Sequence, residues 1–191
     1  MPRTRTIAAA VAAAATTALL SGCYVLTGPE QDPLDPIAQC AYGHVWNADL
    51  AGLAEQLLPV LRESVDGTEM IADGTLNLEW SGRGSVAMTA DYAMTGRANW
   101  SGGLATVTER HTGTVTGGLL ITDEIAVPKK WNTEELSTEV TSDIAGAAQE
   151  QPPFALPQSL PNDVVGLEVT CEDTTLTTHA RGADSTITWT R

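Results

Sequence analysis

Along residues 47–65 apolar side chains recur every three or four positions: Leu50, Leu53, Ala54, Leu57, Leu58, Leu61 and Val65. That spacing places them on one face of a helix. Asn47 stands where a first turn is capped, and Trp46 where it is stapled. Pro59 falls inside the run, removing a hydrogen bond and crowding the preceding turn, so the helix is expected to kink or divide there. The opposite face carries Asp49, Glu55 and Glu63 in place of the lysines of a lipid-binding helix. It therefore reads as the cover of a sheet rather than as a membrane-surface helix.

Beyond Glu69 the period changes to two. Leu76, Leu78 and Trp80 alternate with Thr75, Asn77 and Glu79, and after residues 82–84 Val86, Met88, Ala90, Tyr92 and Met94 alternate in the same way. The two runs predict a hairpin. Further strands are predicted at 104–115, 119–127, 134–144, 164–171, 174–178 and 185–190, with Gly102-Gly103 and Gly117-Gly118 as turns between them. Eight antiparallel segments with one polar face each make the expected fold mainly β (α+β). The candidates are an eight-stranded barrel or a two-sheet sandwich, preceded by one kinked N-terminal helix. Residues 146–163 break the rhythm with Pro152, Pro153, Pro157 and Pro161 and can form neither a central strand nor a continuous helix. This segment, with its apolar Phe154, Leu156 and Leu160, is either a crossover connection or a lid.

The start of the chain follows other rules. Arg3 and Arg5 precede an uncharged run of apolar and small residues from Ile7 to Leu20, the layout of a secretory signal. A spanning helix needs about 20 apolar residues, so this run is too short to cross a bilayer. It ends on Leu20-Ser21-Gly22-Cys23. An aliphatic residue, two small residues and a cysteine in that order resemble the lipobox of bacterial lipoproteins. The resemblance implies that residues 1–22 are a signal peptide that is removed and that the Cys23 thiol carries diacylglycerol. Residues 23–36 then make a lipidated, Pro-rich tether, and residues 37–191 a single β-rich domain held at the extracytoplasmic face of a cell membrane.

Charge narrows the partners. The formal charge is -14, and it falls to -16 once Arg3 and Arg5 leave with the signal. No basic patch is left to follow a phosphate backbone, so nucleic acid is excluded as a partner, as is direct adhesion to anionic lipid. About 169 mature residues suffice for one domain with a core. Phe154 is the single phenylalanine, so that core must rest on Leu, Val, Ile, Met and five tryptophans. With Cys23 assigned to lipid, Cys40 and Cys171 remain and are expected to form a disulfide. In the chain-entropy view such a bridge stabilises by up to about 5 kcal/mol.

Catalytic chemistry is hard to place. His44, His111 and His179 are the three histidines, none stands in a recognisable motif, and no G-x-S-x-G elbow is present. His111 and His179 fall in predicted strands and could meet across a sheet, yet two histidines without further ligands make a poor zinc site. The expectation is a non-catalytic protein with no metal and no cofactor. Trp80 and the closing Leu176 and Trp189-Thr190-Arg191 resemble lipocalin-like barrels and small envelope lipoproteins of high-GC Gram-positive bacteria, in which a tryptophan and a basic residue close the barrel end. The lipocalin G-x-W signature is absent, because Gly43-His44-Val45-Trp46 has one residue too many and is expected to precede a helix instead of opening a strand. Tryptophan and methionine at inward positions point to a binding module whose interior is lined by Trp80, Met88, Tyr92, Met94 and Trp189, with Phe154 near the mouth, holding a small apolar envelope molecule. The alternative is a structural or interaction lipoprotein whose outer face docks another envelope component.

Overall fold

The computed structural model describes residues 36–191 apart from 82–83, 123–124, 159–165, 182 and 184. The expected signal peptide, the expected lipidation site Cys23 and almost all of the expected tether lie outside the described residues, as do Asp123-Glu124 and Leu160. In chain order the elements are α1 (Pro36–Ala41), β1 (His44–Ala48), α2 (Leu50–Ser64), β2 (Gly67–Ser81), β3 (Ser85–Trp100) and β4 (Gly103–Thr122). They continue as β5 (Ile125–Asn132), β6 (Ser137–Ile144), β7 (Ala147–Ala148), β8 (Leu167–Glu172), β9 (Thr175–Ala180) and β10 (Thr186–Thr190).

One antiparallel sheet runs β3-β2-β1-β10-β9-β8-β5-β4-β6-β7, and β3 also pairs with β4. Eight strands thus form a closed hydrogen-bonded ring, while β6 and β7 hang from the first half of β4. The predicted hairpin is present as β2 and β3, with Leu76 opposite Ala90, Leu78 opposite Met88 and Trp80 opposite Val86. The long strand β4 pairs with β3 throughout, but its other edge is divided, with residues 105–112 held by β6 and 116–122 by β5. Gly113 sits at the change of partner. Its φ is +120°, and a Cβ there would lie 1.8 Å from the Glu135 carbonyl oxygen, so only glycine lets the β5–β6 connection pass this close.

Several boundaries differ from the expectations drawn from periodicity. Residues 44–48 precede a helix as expected but are themselves a strand: β1 is hydrogen-bonded to β2 on one edge and to β10 on the other, and this tertiary pairing holds the backbone extended. The helix begins at Leu50, and its cap is Asp49, whose carboxylate accepts a hydrogen bond from the Gly52 N–H at 2.9 Å. Helix α2 continues as one element through Pro59, an exposed position. Gly117-Gly118 is not a turn but lies within β4, where a Cβ on Gly117 would strike the Trp131 ring at 2.3 Å. Residues 119–122 accordingly finish β4 instead of opening β5.

The core gathers the inward positions of the ring and the apolar face of α2. Trp46, Trp80, Tyr92, Leu76 and Leu176 are essentially buried, joined by Leu53, Leu57 and Leu61 of the helix. Each such side chain contributes about 1.5–3 kcal/mol by leaving water. Helix α2 packs chiefly on β2 and β10. Gln56 clips it to β10 twice: its Nε2 donates to the Thr186 carbonyl at 3.0 Å, and its Oε1 accepts from the Thr186 N–H at 2.9 Å. Cys40 of α1 is disulfide-bonded to Cys171 of β8, 131 residues later, with a Cα separation of 5.9 Å. Among the described residues no helix is long and apolar enough to cross a membrane.

Candidate functional site

The register of the sheet arranges the inward side chains in rows across the strands. One row runs Trp46, Leu78, Met88 and Val115; the next but one runs Gly74, Tyr92, His111 and Thr138; the one after that runs Ala72, Met94, Glu109 and Val140. Of the six residues proposed from sequence as ligand-lining, Trp80, Tyr92, Met94, Phe154 and Trp189 are buried in one continuous apolar cluster, and the partly buried Met88 packs against it. The interior is rich in aromatic and thioether side chains, which adapt to irregular apolar shapes.

The segment expected as a crossover or lid supplies two of these contacts. Phe154 lies 6.3 Å from the Trp100 ring, at the far end of β3. Leu156 is seated on Gly96 of the same strand, where a Cβ would meet Leu156 Cδ2 at 2.5 Å and Leu61 Cδ2 at 3.3 Å. A side chain on β3 at this point would displace the segment from the core.

A polar group interrupts the apolar face between β3, β4 and β6. The His111 ring stacks on Tyr92 with 4.9 Å between centroids, and its Nδ1 lies 3.0 Å from the Thr138 hydroxyl. Its Nε2 lies 3.8 Å from Oε2 of Glu109, beyond direct hydrogen-bond reach. Burial alone pushes the His111 imidazole below its ordinary 6.5 and the Glu109 carboxyl above its ordinary 4.5. Both groups therefore resist charging, as befits polar side chains at the margin of an apolar interior.

This margin opens to water. On β6 the residues aligned with the core face of β4 lose their cover: Val140, opposite Glu109, is 46% exposed, and the Glu109 side chain is 27% exposed. An open groove of about 610 Å³ lies elsewhere, beside the Cys40–Cys171 bridge, edged by His44, Glu172, Asp173 and Arg191. The Arg191 guanidinium lies 5.4 Å from the centre of the Trp46 ring, a cation–π contact at the end of the last strand.

His111 and His179 are not paired across the sheet. Strands β4 and β9 are separated by β5 and β8, and His179 instead has the Ser185 carbonyl at 3.1 Å and the Thr186 hydroxyl at 3.3 Å as its neighbours. Among the described residues no group of three His, Cys, Asp or Glu side chains converges as metal ligands. Thr138 escapes notice in the sequence, because only the pairing of β4 with β6 brings it to His111, whereas Glu109 lies two residues from His111 on the same face of β4 and reads there as an ordinary strand residue. No protein-family profile matches the chain, and neither a curated protein nor a solved structure is significantly similar to it.

Proposed function

We propose that the chain is a non-catalytic, lipid-anchored extracytoplasmic binding module, a lipocalin-like barrel that carries a small apolar molecule of the cell envelope. The observation that carries this reading is a continuous Trp, Met and Tyr interior bordered at one side by the partly exposed Glu109 and the exposed Val140. The ring of eight antiparallel strands supports the barrel, as does the Arg191 guanidinium lying over the first-strand Trp46. The lipobox residues Leu20 to Cys23 support the anchor.

Native mass spectrometry of the chain purified from its own host, followed by denaturation and organic extraction, tests the cargo. A stoichiometric apolar molecule is the expected result, and a clean unliganded mass would end the carrier reading. Cys23→Ser tests the anchor. That variant should leave the membrane fraction or stay uncleaved, and unchanged retention would refute lipidation at Cys23.

One observation favours a second reading, an interaction lipoprotein. Leu120 of β4 and Val127 of β5 face each other across the strands and are 45% and 42% exposed. An adjacent pair of bare aliphatic side chains suits docking to another envelope component.

A further inference from the structure

Strand β6 is paired along one edge only. β4 holds it from Ser137 to Ile144, whereas among the described residues the other edge carries just β7, opposite Asp143 and Ile144. The Gln149 N–H donates to the Ser142 carbonyl at 2.9 Å, so the main chain of Ser142 faces outward. Main-chain groups alternate between the two edges of an antiparallel strand, which turns the N–H and C=O of Thr138 and Val140 outward as well. Both faces are bare too, since every residue from Ser137 to Thr141 is exposed. Ladder groups presented in this way are a template for one more strand.

We infer that the β6 edge at residues 137–141 takes up an extended, basic peptide segment of another protein as an added strand. This docking is independent of any cargo in the interior. Charge selects the partner. From residue 131 to residue 178 the sequence holds no lysine, arginine or histidine, and Glu134, Glu135, Glu139, Asp143 and Glu150 all fall in that stretch. Arg110, opposite Glu139 on β4, is paired with Asp91 at 2.6 Å, and among the described residues Glu139 has no ion pair. In a guest strand the side chains opposite Thr138 and Val140 lie on the face where Val140 is 46% exposed, and the one opposite Glu139 lies on the other face. An aliphatic residue beside Val140 and a lysine beside Glu139 answer both. A second copy of the chain does not fit this edge. Its formal charge is the same -14. A two-fold antiparallel pairing centred on Glu139 sets that carboxylate against itself. Centred on Val140 it needs the edge at Ser142, where Gln149 already lies, and centred on Thr138 it needs the Leu136 N–H, which is donated to the Thr133 carbonyl at 3.0 Å.

The test titrates a blocked pentapeptide of alternating valine and lysine, with valine at both ends, into the full chain and follows heat and stoichiometry. It should bind one to one. Methylating the valine nitrogens, which face β6 in the added strand, should weaken it at least about tenfold, the scale of two main-chain hydrogen bonds. Methylating the lysine nitrogens, which face away, should cost far less. Glutamate in place of lysine should weaken it about threefold or more at low salt, and the gap should close as salt rises. Val140→Pro removes an outward N–H while leaving the β4 ladder intact, and should erase the difference between the native and valine-methylated peptides. Glu139→Lys is the check should that variant fail to fold; there the glutamate peptide should bind better than the lysine one, and an unchanged order would overturn the proposal. No binding of the lysine peptide, equal losses from the two methylations, or a glutamate peptide that binds as well would each overturn it. So would a native chain that dimerises and becomes monomeric on Val140→Pro, a result that would give the edge to a second copy.

Discussion

The wall made by β1, β10, β9 and β8 and the overhang made by β6 and β7 belong to one antiparallel sheet, yet they end up in opposite states. Each strand of the wall has a sealed side chain on its inward face, most regularly in β9, where Leu176, Thr178 and Ala180 alternate with half-covered neighbours, and Trp46 and Trp189 are at most 2% exposed. The Cys40–Cys171 bridge fastens this side to α1. The overhang buries none of its strand residues. The single strand β4 joins the ring to the overhang, pairing with β5 through its second half and carrying β6 with its first. The difference lies in what covers the inward face. Cohesion is concentrated where α2 and the disulfide close over it, and access where nothing on β6 does.

The contrast can be attacked from its strongest side. Replacing Cys40 and Cys171 by serine should lower stability by up to about 5 kcal/mol, since the bridge closes a loop of more than 100 residues. Melts with and without reductant check it, and coincident melts would mean the wall owes nothing to the bridge. Next comes a matched pair: Trp189→Ala should cost about 3–5 kcal/mol, whereas Val140→Ala on the overhang should stay within about 0.5 kcal/mol. Urea midpoints measure both, and equal losses would erase the distinction between the two regions. The smallest effect is electrostatic and lies at the border. His111 is depressed below 6.5, so the unfolded chain takes up the proton first; stability present above that pH is lost as pH falls through the folded value. Glu109, raised above 4.5, works in the other sense, its contribution being full below 4.5 and lost as pH rises through its folded value. His111→Phe should therefore flatten the fall in melting temperature just below pH 6.5. An unchanged slope would place that sensitivity elsewhere.

How far the fold was legible depended on whether local pattern or distant pairing decided each element. Leu76, Leu78 and Trp80 against Val86 to Met94 carry a long, regular alternation, and the hairpin stands where that alternation predicts it. The helical face of α2 and the pairing of Cys40 with Cys171 were equally readable. Strand β1 was not. It offers five residues with one deeply buried apolar side chain, Trp46, and its extended form depends on β2 and β10, the latter more than 140 residues away in sequence. The glycines at 117 and 118 illustrate a second ambiguity, because the small residue that permits a turn also permits the close approach of Trp131. At the candidate site Tyr92 and Met94 followed from alternation. Their polar neighbours His111 and Glu109 required the register of β3 with β4, and Thr138 that of β4 with β6, neither of which a local signal encodes.

The pairing of β1 with β10 governs the order of assembly. Asn47 meets Thr190 and Ala48 meets Trp189, so a strand near the beginning of the domain keeps an open edge until residues near the end of the sequence arrive. The other closing seam, between β5 and β8, consists of two residue pairs, Ile125 with Glu168 and Ala126 with Leu167. A chain emerging progressively can complete the β2–β3–β4 meander from local contacts, but it cannot seal its circumference until nearly all of it has emerged. Its folding rate is then set by the slow search for non-local partners rather than by hairpin formation. During that interval the unpaired edges of β1 and β9 are where a chaperone, or a mispairing neighbour, would first take hold.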